Sequence, residues 1–575
     1  MKLNIKSILA ASLLACLPSL VPAQGLKVDF APVFQGDSTG PVLVTMQNPG
    51  RPIVGQIRSS GYANTVLYPV ELPTGSVKQV MVFRSQNYYD SGQIKFEAGP
   101  RVIDAPLSYS YENIRLRSAV IHDEPDAVVQ MSKADPLKKL SAGLYPAKSE
   151  GTPDRTSGYD SFDSVWLGQG SDRLNDAQVL AVKQFLLQGG CVVFIGGAGN
   201  SALRDPRWQD VIGAQAQGLT NGRGSLLNGI AATTFGAVEL PSSAWTSPQF
   251  NGYGGYKSVG AGRAVILRFS PFDPVFINSG TASRLTAKVH TLIPQRDSFD
   301  IFIDNSGFQP QQDSYYPGYR DTTSTNASGA FTYEAPEAGR LFTPVWIFAL
   351  ILAPLSILIP RFLKRAELAW VFAPLAAVGV AAMVMSSQNA LRSSTQAQVT
   401  TGTIFAHEGI ATSVAILNTE MFFPRSGRFD LNMEPMERAE IQGGSSGFMG
   451  NSTSTYDMGG RIIPPVTVKN LEFRSLAART AVEGASEWIF YRIDPAKKEL
   501  IVTNRSPHQI RSVRVGVGKD SGPLAPGKSV SVKPVAGQRD NNLIQCTFEN
   551  LELGPKVGKA TSTITLNYRM KGKAW

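Results

Sequence analysis

Two uncharged apolar runs, residues 341–360 and 368–391, separate regions of different character in the 575-residue chain. Each run is long enough to cross a hydrocarbon core of about 30 Å as a helix. The first holds a dozen Leu, Ile, Val and Phe. At about −0.5 kcal/mol each these favour insertion by roughly −6 kcal/mol, before Pro344, Pro354 and Ser356 subtract from it. The turn between the runs, 361–367, carries Arg361, Lys364 and Arg365 against Glu367. This pattern predicts a two-helix transmembrane hairpin. The positive-inside rule puts its turn in the cytoplasm and both flanking regions on the opposite face. A buried soluble hairpin is the alternative, but core helices seldom stay uncharged for so long. Neither run holds an ionisable group, so the helices read as anchors rather than a conduction path.

Residues 1–23 have Lys2 and Lys6, an apolar run over 8–20 and Val-Pro-Ala before Gln24. This is the pattern of a secretory signal peptide. Leu13-Leu14-Ala15-Cys16 offers a rival reading as a lipidation site at Cys16. Residues 24–112 alternate in short stretches at 41–47, 68–72, 77–83 and 93–96, with turn residues such as Asn48-Pro49-Gly50 between them. That spacing predicts a β-sandwich.

From 113 to 293 the pattern changes to strands alternating with helices. Strands are expected at 118–121, at 162–167 ending in Gly168-Gln169-Gly170, at 191–195 and at 264–269. The run 191–195 is apolar throughout, as a strand buried on both faces should be. Asn175 with Gln178 three positions on predicts a capping box, and Val179, Val182 and Leu186 share one helical face. Gly189-Gly190 should stop that helix through a left-handed residue. A closing helix is expected over 281–292. Residues 294–340, rich in Ser, Gly, Pro, Tyr and Gln, read as a tether that includes 309–319. Residues 392–575 show strand alternation at 399–404, 414–418, 487–491, 499–504, 510–517, 529–535 and 561–568, with a Gly/Ser-rich loop at 443–460. They predict a second β-rich domain.

These segments carry a resemblance. Residues 159–200, with a strand into Gly-Gln-Gly, a helix, Gly-Gly and a strand into Gly196-Gly197-Ala198-Gly199, resemble the class I glutamine amidotransferase-like, flavodoxin-like domain. Residues 260–271 are similar to a later glycine-x-glycine-Arg strand of envelope-anchored bacterial members. Residues 42–55 with 70–73 resemble an immunoglobulin-like accessory domain of envelope proteins, and 502–527 the C-terminal β-region of the same family. The resemblance implies a Cys nucleophile on the sharp turn after the strand, where a His and oxyanion donors would serve it. The turn here, Gly196 to Ser201, contains no Cys, and Cys191 lies at the other end of its strand. A hydrolase would need Ser201 as nucleophile, His290 or His122 as base, and Asp123 or Glu124 to orient it. The turn could instead bind an anion through Gly196, Gly197, Gly199, Asn200 and Ser201, or simply require positive φ.

Composition narrows the chemistry. The net charge of +10 is spread without a dense basic block, which argues against nucleic acid. Three cysteines (Cys16, Cys191, Cys546) and four histidines (His122, His290, His407, His508) leave little for zinc, disulfides or His catalysis. His407-Glu408 and Asp430, Glu434 and Glu437 lack a second His at helical spacing and read as loops. Residues 522–529 match the P-loop pattern letter for letter, but a strand alternation follows and Pro523 and Pro526 delete amides. They read as a β-turn. Tyr88, Tyr89, Tyr253 and Tyr256 could stack on sugars.

The expectation is a non-catalytic bacterial inner-membrane protein with both large regions periplasmic, binding no cofactor or metal. It would scaffold other inner-membrane or envelope proteins in a transport, secretion or polysaccharide-assembly complex. A Ser hydrolase and a carbohydrate-binding accessory protein are the alternatives.

Overall fold

In a computed structural model of the chain, most of residues 25–294 and 396–571 are described, with short pieces between 346 and 379. The signal-peptide and Cys16 readings, the tether over 294–340, and Tyr88, Tyr89, Asn200, Asp430 and Glu434 lie outside the described residues. The described chain divides into two units, residues 1–299 with 454–457 and the remainder.

The first unit begins with the β-sandwich. Its strands are β1 (Lys27–Pro32), β2 (Val42–Asn48), β3 (Ile53–Ser60), β4 (Asn64–Leu72), β5 (Ser76–Val82), β6 (Gln93–Ala98) and β7 (Arg101–Asp104). One sheet runs β1-β2-β5 and the other contains β4-β3-β6-β7, all antiparallel. Alternation along β2 sends Val42, Val44 and Met46 inward, where they meet Ile57, Val70 and Phe96.

The α/β domain follows. Its parallel strands are β8 (Leu116–Ile121), β9 (Ala142–Ala147), β10 (Ser164–Leu167), β11 (Cys191–Phe194) and, after the hairpin β12 (Leu219–Gly224) with β13 (Thr233–Val238) and the strands β14 (Ser247–Gln249) and β15 (Gly254–Val259), β16 (Gly262–Leu267). The sheet order is β14-β15-β16-β11-β10-β8-β9, with β14 and β15 antiparallel. The five parallel strands therefore lie in the order 2-1-3-4-5 of doubly wound flavodoxin-like sheets. Helices α1 (Pro125–Ser132), α2 (Asp135–Lys139), α3 (Asp176–Leu187), α4 (Ser201–Arg204), α5 (Gln209–Ile212), α6 (Pro274–Asn278) and α7 (Ala282–His290) complete the domain.

Helix α3 shows how local sequence sets these elements. Asn175 Oδ1 accepts from the Gln178 amide at 2.9 Å, and Gln178 Oε1 accepts from the Asn175 amide at 2.8 Å. At the other end Gly190 N–H donates to Phe185 O and Gly189 N–H to Leu186 O, with Gly189 at φ 116°. Both bonds of the Schellman ending are made.

The sandwich is joined to this domain by the segment between β1 and β2. Phe34, fully buried, packs edge-on against Phe162 at 4.8 Å. The Gln35 amide donates to Pro146 O on the edge strand β9 at 2.8 Å. Asp37 pairs with Arg117, whose guanidinium lies 5.1 Å from the Tyr145 ring centroid.

The second unit is β-rich. Its strands are β17 (Ala397–His407), β18 (Thr412–Phe423), β19 (Gly427–Phe429), β20 (Met436–Gly443), β22 (Val466–Val468), β23 (Glu472–Glu483), β24 (Ile489–Asp494), β25 (Glu499–Asn504), β26 (Ile510–Val515), β27 (Ser529–Val532), β28 (Leu543–Glu549) and β29 (Lys559–Arg569). The order β26-β28-β29-β17-β18-β23-β20 forms one sheet and β24-β25-β27 another. Within the Gly/Ser-rich stretch 443–460, β21 (Thr453–Asp457) forms, and residues 454–457 group with the first unit.

The P-loop-like stretch is a turn. Lys528 N–H donates to Ala525 O at 3.1 Å, Pro526 sits between them, and Gly527 has φ 73°. These are the marks of a type II turn. Gly527→Val should lower the melting temperature of the second unit by an amount equivalent to about 1 kcal/mol. Calorimetry that finds no change would contradict the turn.

The transmembrane hairpin is corrected. Among the described residues no helix is long and apolar enough to cross a membrane. Among the described residues the helix bounded in this region is α8 (Ala353–Phe362), with further helical residues at 346, 370–371, 374–375 and 377–379. Helix α8 runs past the expected end at 360, through Arg361 and Phe362. Freedom from charge met the hydropathy criterion, but that criterion sums transfer energies and does not by itself set the length of a helix; the helix here includes Pro354 and Pro360, which lower helix propensity. The two spans over 341–360 and 368–391, the cytoplasmic turn 361–367, the membrane as partner, and the inner-membrane location with both flanks periplasmic all rested on the hairpin. They fall with it.

Candidate functional site

In an open doubly wound sheet, ligands settle outside the carboxyl ends of the strands, where the strand order reverses. Here that point lies between β8 and β10. A cleft of about 580 Å³ opens there, lined by Asp123, Gln169, Gly170, Asp172, Arg173, Gly199, Arg204, Asp205, Pro206 and Arg207. Asp123 follows β8; Gln169 to Arg173 follow β10; Gly199 and residues 204–207 follow β11.

Much of this charge is already matched. Arg173 pairs with Asp123 and lies 3.7 Å from Glu150. The Arg207 fork grips Asp205 through Nε at 3.0 and 2.9 Å and Nη2 at 2.6 Å. It also donates to the Leu174 and Asp172 carbonyls and to Asp176 at 2.6–3.0 Å. Hydrogen bonding to Asp205 holds its pKa above the usual Arg value. Arg207 is thus a clasp that fixes the loop after β10 against the segment after β11. The Arg204 guanidinium, the Asp172 carboxylate and the Gln169 amide are exposed and make no side-chain bond among the described residues. Among the described residues the cleft wall has no aromatic, and Pro206 is its one apolar side chain.

Among its described residues, the glycine turn singled out by the sequence touches this cleft through Gly199. Gly196 N–H donates to Phe269 O and Gly197 N–H to Arg268 O, both at 3.2 Å. A Cβ on Gly196 would sit 2.4 Å from the Arg268 carbonyl carbon. Gly197 has φ 87°. These two glycines let the chain pass close to residues 267–269, and their amides are engaged there. Ser201 opens α4, four residues long.

The candidate bases are placed elsewhere. His290 is buried on α7, with Nδ1 2.9 Å from Thr286 O and Nε2 3.0 Å from Ser118 Oγ. The carbonyl can only accept, so Nδ1 carries the proton and Nε2 accepts from Ser118. Ser118 then accepts from Ser164 at 2.8 Å, and Ser164 from Trp166 Nε1 at 2.9 Å. Every member is satisfied with the imidazole neutral, and burial pushes its pKa down to about 4. Ser118 and Ser164 lie in register near the amino ends of their strands, about three residues or roughly 10 Å from the carboxyl edge. His122 does lie at that edge. Its Nδ1 accepts from the Glu124 amide at 3.1 Å, leaving Nε2 as a donor, and burial lowers its pKa. Asp123 is bound to Arg173.

The remaining candidates are structural ties. Cys191 and Cys546 are free and buried, and desolvation pushes the Cys191 thiol up to about 12. His407 Nδ1 lies 2.9 Å from Arg569 O, and Glu408 accepts from Tyr491 at 2.6 Å and the Lys571 amide at 2.8 Å. Tyr253 and Tyr256 lie beneath Arg268 and Arg263 at 5.4 and 4.5 Å. No group of metal-ligating residues occurs among the described residues.

Sequence reading did not single out Asp172, Arg173, Arg204, Asp205 or Arg207. The available signal was Ser171-Asp172-Arg173 and Arg204-Asp205-Pro206-Arg207, charged runs just after the second and third expected strand–turn units.

No family model matches the chain, and no curated protein matches it. Among solved structures it is similar to the yeast delta-COP-I mu-homology domain, at 8% identity and TM-score 0.18, over 31% of this chain and 97% of that one. The same domain complexed with Dsl1 WxWxV peptide gives 8% identity and TM-score 0.17 over 31% and 98%. Likeness at that level carries no argument about fold or partner.

Proposed function

We propose that this protein is a non-catalytic binding protein whose α/β domain takes a small, hydrophilic, charged ligand in the cleft between β8 and β10, with the β-rich regions serving as scaffold. One observation carries the reading: the cleft presents three uncommitted polar groups, Gln169, Asp172 and Arg204, on loops clasped in place by Arg207. Preorganised polar groups of this kind give specificity without chemistry. The amidotransferase-like resemblance fits a domain that has kept the strand order and lost the nucleophile. The placements of His290, bound to Ser118, and of His122, whose Nδ1 accepts from the Glu124 amide, favour this reading over the hydrolase alternative.

The test pairs two measurements on the intact chain. Hydrogen exchange in the presence of a pooled library of polar metabolites should slow at residues 168–175 and 202–208. Amide and ester substrates should give no turnover. Turnover that disappears in Ser201→Ala would sink the non-catalytic reading.

A further inference from the structure

The three uncommitted groups in the cleft narrow the ligand class, and this step rests on the cleft reading above. Arg204 is a planar cation with a free fork, suited to a carboxylate held by two parallel bonds. Asp172 only accepts, and Gln169 both donates and accepts. The other four charged side chains of the wall are taken up in the Asp123–Arg173 and Asp205–Arg207 pairs. A ligand is therefore asked for one anionic group on Arg204, a hydrogen-bond donor for Asp172, and a donor and an acceptor for Gln169. It must also be hydrophilic throughout, since the wall has no ring to stack against a base or a flavin.

We infer that the cleft binds a polyhydroxy carboxylate, a sugar acid, with its carboxylate on Arg204 and vicinal hydroxyls shared between Asp172 and Gln169. A carboxylate oxygen accepts from each arm of the guanidinium. One ligand hydroxyl donates to Asp172, and its neighbour exchanges a bond with the Gln169 amide. Phosphate or sulfate alone would satisfy Arg204 but bring no vicinal hydroxyls to donate to Asp172 and pair with Gln169. A neutral sugar would serve Asp172 and Gln169 but leave Arg204 without its partner.

The experiment is calorimetric titration of the full chain with glucuronate, galacturonate, glucose, inorganic phosphate and glycine. Glucuronate or galacturonate should bind at least 10-fold more tightly than glucose or phosphate. Arg204→Ala should weaken the sugar acid 10-fold or more and leave glucose unchanged. Asp172→Asn should weaken both sugars about 3-fold or more. Each variant should melt within a few degrees of the parent, because neither side chain holds the fold. Equal binding of glucose and glucuronate, or an Arg204→Ala variant that binds glucuronate as the parent does, would overturn the assignment of the carboxylate. Glycine binding best, and lost in Asp172→Asn, would overturn the sugar-acid class while leaving the cleft as a binding site. If none of the five probes binds and hydrogen exchange around the cleft responds to no library member, both readings fall.

Discussion

Gly196→Ala should cost the first unit about 3 kcal/mol or more, seen as a loss of roughly 6–12 °C in its melting temperature. The added Cβ would lie 2.4–2.6 Å from the carbonyl groups of Leu267 and Arg268. Those atoms are backbone at the carboxyl end of β16, between strand pairing and the hydrogen bonds from Gly196 and Gly197. Nothing there can rotate out of the way, so the strand ends must separate. Gly199→Ala is the contrasting variant. The nearest atoms to its Cβ belong to the Gln169 side chain, at 3.0–3.1 Å, a flexible group at the surface, and the expected cost is under about 1 kcal/mol. Scanning calorimetry of the two variants decides whether Gly196 is present for packing. Equal stability of both would show that the close approach to β16 is not a constraint.

Stability of the first unit should also fall as pH is lowered from about 6.5 to about 4. The His290 pKa is depressed to about 4 in the fold, against about 6.5 unfolded. The unfolded chain therefore binds the extra proton first. The contribution from a neutral His290 is complete above pH 6.5 and drains away as pH falls through 4. Its size is on the order of 3 kcal/mol. His122, lowered by burial, adds a slope of the same sign. His290→Leu should flatten the curve between pH 6.5 and 4. It should also lower the neutral plateau by about 1–3 kcal/mol, since Ser118 loses its acceptor. Denaturant titrations across that range check both, and identical slopes in parent and variant would refute the account.

Where local chemistry decides structure, it could be read from residues. The α3 capping box and its Gly189-Gly190 ending follow from side chains three or four positions apart, as do the type II turn at Ala525–Lys528 and the alternation of β2. Strand β9 was not legible. Its sequence AGLYPA has little β propensity and contains Pro146, which an edge strand tolerates. The cleft was hidden for a related reason. Arg204 and Asp172 are 32 positions apart and meet only because β10 and β11 pair, and the 2-1-3-4-5 order leaves the cleft open beside them. The glycine turn was conspicuous because it is rich in glycine, yet its first two glycines answer to the packing of β16. The apolar runs misled for the opposite reason. Hydropathy is a sum over residues, whereas a span also needs one long continuous apolar helix, and among the described residues there is none.

The meeting of Gln35 with β9 bears on how this protein can be divided. β9 is the outermost parallel strand, and its six residues are buried although no further strand pairs with it. The Gln35 amide donates to Pro146 O on this strand, and Phe34 packs against Phe162, whose ring also meets Tyr145 of β9. A fragment starting at residue 113 would lose that bond and the Phe34 packing and open the margin of β9, the kind of edge on which chains stick to one another. The N-terminal sandwich is in that sense a built-in chaperone for its neighbour, and excising it should yield inclusion bodies rather than a smaller working domain.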